Sequence, residues 1–113
     1  MKMTGYAIYD VKAETFACPV FQNTEGFAVR AFERSVTDPD SPWSKNPEDY
    51  SLWSVCEIET DEAVLYDQVN RQIITGLEAV ANVHRREAKL RSLQMDIEDL
   101  TNPEVPDSPG GTQ

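Results

Sequence analysis

The chain has 113 residues, which suits one domain with a single modest hydrophobic core. Hydrophobic residues make up 40% of it, and no apolar run approaches the roughly 20 residues of a membrane-spanning helix, so the composition excludes such a span. The formal net charge of −10 repels nucleic acid at long range and disfavours DNA binding by the surface as a whole.

The acidic charge is unevenly distributed. Residues 37–70 carry one basic and nine acidic side chains, a net charge of −8, whereas residues 71–91 carry five basic and two acidic, a net charge of +3. Residues 92–113 carry five acidic side chains and no basic one. Only the segment 71–91 is therefore expected to approach a phosphate backbone.

The N-terminal residues show two strand patterns. Residues 4–11 alternate with apolar side chains on both faces, which predicts a strand near the centre of a sheet. Residues 15–21 are rich in β-branched and aromatic side chains and predict a second strand. Pro19 has no N–H to donate, so this second strand is expected at an edge or with a bulge. The short connection between the two segments predicts an antiparallel hairpin.

Residues 25–37 predict an amphipathic helix. Asn23 and Thr24 supply an N-cap, and Glu25 places a negative charge in the first turn, where the helix dipole favours it. The polar face is expected to contain Arg30, Glu33, Arg34 and Thr37. The face packed on a sheet is expected to contain Phe27, Ala28, Ala31, Phe32 and Ser35.

The middle of the chain predicts a turn followed by further strands. Asn46 and Pro47 favour a turn, and residues 50–59 alternate as a strand with Leu52 on one face and Trp53 on the other. Residues 63–66 predict a short fourth strand. Residues 72–82 fit both a strand and a helix, and we expect a strand that gives way to helix near Leu77.

Residues 81–100 predict a C-terminal amphipathic helix. Its apolar residues follow 3-4-3 spacing and form a candidate seam for a helical partner: Leu90, Leu93, Ile97 and Leu100. Arg86, three residues after Val83, interrupts the preceding heptad. The seam is therefore expected either to form a short coiled coil, including one with a second copy of the chain, or to dock on the domain's own sheet or a partner. The acidic tail 101–113, rich in Pro, Gly and Asp, is expected to be disordered.

These elements predict an α+β fold. It consists of a small antiparallel sheet of three to five strands with one helix packed on a face, plus the C-terminal helix and the tail. The expected organisation is a core domain at residues 1–80, the amphipathic helix at 81–100 and the disordered tail at 101–113.

No catalytic or metal-binding pattern is present in the sequence. His84 is the single histidine and has no ligand-type residue four positions later, and Cys18 and Cys56 belong to no paired motif. The carboxylates of residues 57–62 are typical of a solvated strand end, and no glycine-rich phosphate loop occurs. The chain is therefore expected to be nonenzymatic, without cofactor or metal.

Two candidate contact regions remain. The first is a basic cluster of four residues: Arg85, Arg86, Lys89 and Arg91. The cluster suits contact with phosphates, and the alternative is that it forms the polar side of an amphipathic helix. The residues of the second suit a protein contact: Trp43, Glu48, Asp49, Tyr50 and Trp53.

A series of motifs in the first 60 residues is similar to the small nonstructural protein of gokushovirus-type microviruses, which are phages with single-stranded DNA. The motifs are Tyr9-Asp10-x-Lys12-Ala13, Pro19-x-Phe21, Gly26-x-Ala28-x-Arg30-x-Phe32, Asp38-Pro39 and Asn46-Pro47-Glu48-Asp49-Tyr50-Ser51-Leu52. The last of these is the most specific. From residue 61 onward the resemblance ends.

The resemblance implies an accessory protein of viral DNA replication that favours the switch to single-stranded DNA synthesis. It implies no catalytic residues. The expected partners are viral or host replication proteins, with single-stranded DNA as an alternative, no membrane, and self-association through the C-terminal helix. The expected location is the host cytoplasm, because the N-terminus lacks the apolar core of a secretory signal. The alternatives are a capsid assembly or scaffolding protein and a single-strand binder that uses the basic cluster.

Overall fold

Five strands and two helices form residues 1–101, the part of the chain that the computed structural model describes. In chain order they are β1 (Lys2–Asp10), β2 (Thr15–Phe16), β3 (Val20–Gln22), α1 (Glu25–Thr37), β4 (Tyr50–Glu59), β5 (Val64–Thr75) and α2 (Gly76–Thr101). Short 3-10 turns lie at Pro42–Ser44 and Pro47–Asp49. The α+β class is confirmed. The tail expected to be disordered lies outside the described residues, except for Thr101, which ends α2.

The strands form one antiparallel sheet with β1 and β4 in its interior. β1 pairs with β4 from Lys2–Glu59 to Asp10–Tyr50, and β5 pairs with the other side of β4. The free side of β1 is shared by β2 and β3. The prediction of one strand over residues 15–21 is therefore wrong, because the pairing stops before Pro19, which cannot donate a ladder hydrogen bond. The expected central position of β1 is confirmed.

β5 is much longer than the short strand predicted at residues 63–66. It continues to Thr75, because β4 offers a pairing partner over the whole length. Ser54 pairs with Arg71 and Cys56 with Asp67, so three residues of β5 lie opposite the single residue Val55. This bulge changes which side chains share a face. The alternation of apolar residues in the sequence is broken there, which explains the error.

The hydrophobic core lies between α1, one face of the sheet and the first turn of α2. Its buried members are Tyr6, Ala28, Phe32, Val36, Leu52, Ile74 and Ala79. The row Ala28–Phe32–Val36 runs along α1 at i, i+4 spacing and meets the sheet. Phe27, expected on the packed face, lies off this row and is 64% exposed, whereas Glu33, expected on the polar face, is 3% exposed. The bounds of α1 and its N-cap are as predicted, and Thr24 Oγ1 accepts a hydrogen bond from the backbone N–H of Phe27.

The start of α2 lies against the backbone of the turn Pro47–Asp49. A Cβ atom on Gly76 would lie 1.9 Å from the carbonyl oxygen of Pro47 and 3.1 Å from that of Tyr50. The first distance is far shorter than van der Waals contact allows, so any side chain at this position would force the Pro47 backbone to shift. The strand-to-helix change expected near Leu77 occurs here, between Thr75 and Gly76.

A reciprocal pair of hydrogen bonds caps α2. Thr75 Oγ1 accepts from the backbone N–H of Glu78 at 3.2 Å, and Glu78 Oε1 accepts from the backbone N–H and the hydroxyl of Thr75, both at 3.0 Å. This is the capping box, in which two otherwise unpaired backbone donors are satisfied. The hydrogen bonds from Thr75 hold the pKa of Glu78 below its ordinary value. The bond from the backbone N–H has the larger effect and the bond from the hydroxyl the smaller.

The chain divides into two units by its internal contacts. The first is Met1–Val83, which holds the sheet, α1 and the capped start of α2. The second begins at His84, and residues 84–101 continue α2 as a helix.

Replacing Gly76 is expected to destabilise the fold. Gly76→Ala forces the Pro47 carbonyl away from α2, and overpacking of this kind costs about 1–3 kcal/mol. The matched control is Gly26→Ala in α1, where a Cβ meets nothing within 4 Å. That change is expected to be neutral or to stabilise by up to about 1 kcal/mol through helix propensity. Urea unfolding followed by circular dichroism measures both, and a Gly76→Ala protein as stable as wild type would contradict the close contact.

The capping box makes stability depend on pH. The pKa of Glu78 is lower in the folded protein than in the unfolded chain. Its contribution to the free energy of unfolding is therefore fully present above the ordinary glutamate pKa of about 4.3, and it is lost as the pH falls through the folded pKa. Wild type is therefore expected to be more stable than Glu78→Gln at pH 7, with the difference shrinking towards pH 3. Glu87→Gln, an exposed position of the same helix, is the control. A Glu78→Gln difference that stays constant over this range would argue against the bond.

Candidate functional site

Three aromatic rings cluster on the sheet face opposite α1. Tyr9 and Phe16 are cross-strand neighbours with ring centroids 4.7 Å apart, and Trp53 lies 6.4 Å and 5.8 Å from them. Alternation along the strands places these rings away from Tyr6 and Leu52, which face the core. The indole of Trp53 is held by a hydrogen bond from Nε1 to Ser51 Oγ at 2.8 Å. The cluster is thus an ordered, partly exposed apolar surface.

A pocket of about 260 Å³ adjoins this cluster where the turn Pro47–Asp49 meets the ends of β1 and β5. Its lining residues are Tyr9, Val11, Glu48, Asp49, Tyr50, Ser51, Trp53, Gln72 and Thr75. The wall is anchored by a hydrogen bond from the backbone N–H of Val11 to the carbonyl oxygen of Asp49, at 2.9 Å. We call this site the acidic aromatic pocket.

The electrostatics of the pocket favour a cation. Two carboxylates, those of Glu48 and Asp49, belong to its lining, and no basic residue does. Burial first, and then the negative charges of Asp10 and Asp49, raise the pKa of the Tyr50 phenol above its ordinary value. Aromatic faces and carboxylates together attract ammonium and guanidinium groups through cation–π and charge-assisted contacts. The pocket therefore suits the tip of a lysine or arginine side chain.

The structure brings together four of the five residues expected to make a protein contact: Glu48, Asp49, Tyr50 and Trp53. The fifth, Trp43, lies outside the acidic aromatic pocket, packs edge-on against Tyr50 at 6.4 Å, and lines a different cavity. Tyr9 and Phe16 were missed by the sequence analysis. The signal for them was the predicted β1 hairpin, whose short turn places Tyr9 opposite Phe16.

The second cavity has a volume of about 190 Å³ and lies between α1 and the edge formed by β2 and β3. Apolar side chains dominate its walls, including Ile8, Phe32 and Trp43, and the exposed Cys18 lies at its lining. No Asp, Glu, His, Lys or Arg lines it, and Cys18 is the one lining residue of a metal-ligand type.

The basic cluster lies on the part of α2 that belongs to the second unit, and its four members are all exposed. At about 100° per residue, Arg85, Arg86 and Lys89 fall within an arc of about 100°. Arg91 is about 160° away from Lys89 around the helix axis, on the other side of the helix. The helix therefore brings together three of the four residues expected to contact nucleic acid. Whether they bind DNA stays a prediction.

The four seam residues also lie on this part of α2. Leu90, Leu93, Ile97 and Leu100 are between 48% and 80% exposed. At about 100° per residue they occupy an arc of about 80°, so they form one apolar stripe. Its use as a partner surface stays a prediction.

Among residues 1–101, no group of three or more His, Cys, Asp or Glu side chains is arranged to hold a metal ion. His84 is exposed. In the carboxylate cluster at the end of β4, Glu59 and Asp61 accept hydrogen bonds from the amino group of Met1. No helix in the same part of the chain combines the length and apolar composition needed to cross a membrane.

Comparison with known proteins gives one family match. A family model described as "Phage ORF5 protein" matches residues 3–80. The matched segment contains the sheet except Lys2, together with α1, the acidic aromatic pocket and the capped start of α2. No curated protein and no solved structure matches the chain.

The Tyr50 phenol is expected to report the negative potential of the pocket. Its raised pKa means that stability due to the neutral phenol is fully present below a pH of about 10 and is lost as the pH rises through the folded value. In an ultraviolet titration, the phenolate signal that Tyr50→Phe removes should appear above the ordinary tyrosine range. Asp49→Asn should move it towards that range, whereas Glu62→Gln should not. An unchanged titration in Asp49→Asn would contradict the proximity of the two groups.

Proposed function

This chain belongs to the Phage ORF5 protein family, and we propose that it is a nonenzymatic accessory protein of viral DNA replication in the host cytoplasm. The proposed role is to favour the switch from duplex replication to single-stranded DNA synthesis. The protein acts mainly by binding viral or host replication proteins. We further propose that the phage is a microvirus of the gokushovirus type.

The assignment to a microvirus is supported by the motifs of the first 60 residues. The most specific motif, at positions 46–52, forms the turn beneath Gly76 and one wall of the acidic aromatic pocket. The most specific part of the resemblance thus coincides with a wall of the acidic aromatic pocket.

Action through protein contacts is supported by the chemistry of the acidic aromatic pocket. Two carboxylates and three aromatic rings line it, a combination that suits a lysine or arginine of a partner. Proteins that bind DNA expose such residues on the surface that contacts phosphates. The segment 37–70, which contains Glu48 and Asp49, carries a net charge of −8. The pocket therefore suits a contact with the basic surface of a replication protein. DNA would compete with the pocket for that surface.

The role is tested by infection with variant phage. Deletion of the gene is expected to lower the ratio of single-stranded to duplex viral DNA in infected cells. Trp53→Ala combined with Asp49→Asn removes a ring and a charge from the pocket and is expected to lower the ratio in the same direction.

The matched control for this experiment is Val69→Ala, at an 89% exposed position of β5 outside the pocket, and it is expected to leave the ratio unchanged. An unchanged ratio after deletion would refute the replication role. Mass spectrometry of procapsids distinguishes the scaffolding alternative, because a scaffolding protein must be present in them in stoichiometric amounts.

A second candidate function, direct binding of single-stranded DNA, is favoured by the arc of Arg85, Arg86 and Lys89 on α2. Each phosphate contact should contribute about −0.7 to the slope of log affinity against log salt. Changing these three residues to glutamine is expected to flatten the slope, whereas Arg91→Gln, on the other side of the helix, should leave it nearly unchanged. A flat slope for the wild-type chain would exclude this function.

A further inference from the structure

We propose that the exposed side of α1 is a contact site for a single strand of nucleic acid. Phe27 provides a ring on which an unpaired base stacks, and Arg30 and Arg34 donate hydrogen bonds to phosphates of the same strand. The site belongs to the first unit and shares no residue with the basic cluster of α2. It is independent of the proposed role in replication, which concerns protein contacts at the acidic aromatic pocket.

The three side chains form one stripe along α1. At about 100° per residue, Phe27, Arg30 and Arg34 fall within an arc of about 60°, and the rise from the first to the last is about 10 Å. All three are exposed, Phe27 to 64%. They border a groove with a volume of about 500 Å³, lined by Thr24, Gly26, Phe27, Arg30, Ala31 and Arg34. The other lining residues are small, so a planar group can approach the helix between the long side chains.

Neither guanidinium is neutralised by a neighbouring carboxylate. Within residues 1–101, the side chains of Arg30 and Arg34 make no ion pair and no hydrogen bond. Of the two glutamates of α1, Glu25 lies on the opposite side of the helix from the stripe and binds Arg71, and Glu33 is buried. The stripe therefore presents two positive charges to an anionic ligand.

Acidic residues elsewhere in the chain limit the strength of this contact without occupying the guanidinium groups. Asp38 follows Arg34 by one turn, and its Oδ1 accepts a hydrogen bond from the backbone N–H of Asp40 at 2.9 Å. The net charge of −10 repels a strand at long range. Binding therefore depends on the two local charges and on stacking, which requires no charge.

The ring beside the guanidinium groups identifies a single strand as the occupant. A guanidinium fork matches phosphates and carboxylates alike, so the two arginines alone select only an anion. Phe27 adds a flat apolar surface, and a base that stacks on it must be unpaired. A polyglutamate segment would satisfy only the guanidinium groups, and a duplex would leave the ring uncovered. A strand that carries a phosphate and a planar base in every nucleotide satisfies both contacts.

Fluorescence anisotropy of a labelled oligothymidylate of about ten nucleotides, titrated with the full chain, tests the phosphate contacts. The background carries glutamine at the three positions of α2 tested above, so that the basic cluster does not contribute. In this background, Arg30→Gln with Arg34→Gln should flatten the slope of log affinity against log salt by about 1.4, because two phosphate contacts are lost. The matched control, Lys12→Gln with Lys45→Gln, removes the same charge at exposed positions outside α1 and should leave the slope nearly unchanged.

Substitution of the ring tests the stacking contact in the same background. Phe27→Ala should lower the affinity for oligothymidylate about five-fold or more, whereas Phe27→Trp keeps an aromatic face and should restore it. The matched control is Leu65→Ala, which removes an equally exposed apolar side chain from β5 and should have no effect. Circular dichroism verifies that each variant keeps its helix content.

Several results would overturn the proposal. Loss of all binding in the glutamine background would assign the contact to α2 alone, and a wild-type chain that does not bind at low salt would refute both sites. Equal effects of the arginine and lysine pairs would mean that only the overall charge matters. Binding of a polyglutamate peptide, or of a duplex of the same length, as tightly as oligothymidylate would show that the groove does not recognise unpaired bases.

Discussion

The contact between Gly76 and the backbone of Pro47 is the constraint on which the rest of the first unit depends. It fixes the point where β5 ends and α2 begins, because no side chain fits between the helix and the turn. The turn is thereby held against the sheet, with Glu48 and Asp49 beside Tyr50. The geometry of the acidic aromatic pocket thus depends on a backbone contact made on the other side of the turn. The capping box at Thr75 and Glu78 supports the same junction, since it satisfies the backbone donors that the new helix leaves unpaired.

The parts of the fold that were predictable from sequence are those specified by neighbouring residues. The bounds of α1 follow from the Thr24 cap and the prolines after it, and β4 follows from clean alternation. The errors arise where distant pairing decides the outcome. β5 continues past residue 66 because β4 pairs with it, and the bulge opposite Val55 hides its periodicity. Similarly, the face that α1 buries is set by the shape of the sheet, so Glu33 is buried and Phe27 is exposed despite the opposite pattern in the sequence.

Some residues of the candidate site could likewise be predicted from the sequence, and others could not. Glu48, Asp49, Tyr50 and Trp53 are close in sequence and could be predicted as one contact region, whereas Tyr9 joins them only through the pairing of β1 with β4. The role of Gly76 could not be predicted, because a close approach of two backbones leaves no local pattern. The Thr75-x-x-Glu78 capping box could have been recognised, and it would have placed the strand-to-helix change at the correct residue.

The family match includes some of the candidate contact surfaces and leaves the others outside. The match covers residues 3–80 and so includes the acidic aromatic pocket, whereas residues 84–101, with the basic cluster and the apolar stripe, lie outside it. The acidic aromatic pocket is therefore built from residues separate from those of the basic cluster and the apolar stripe. Binding of a basic partner at the pocket, as proposed above, therefore requires none of the residues proposed to contact DNA.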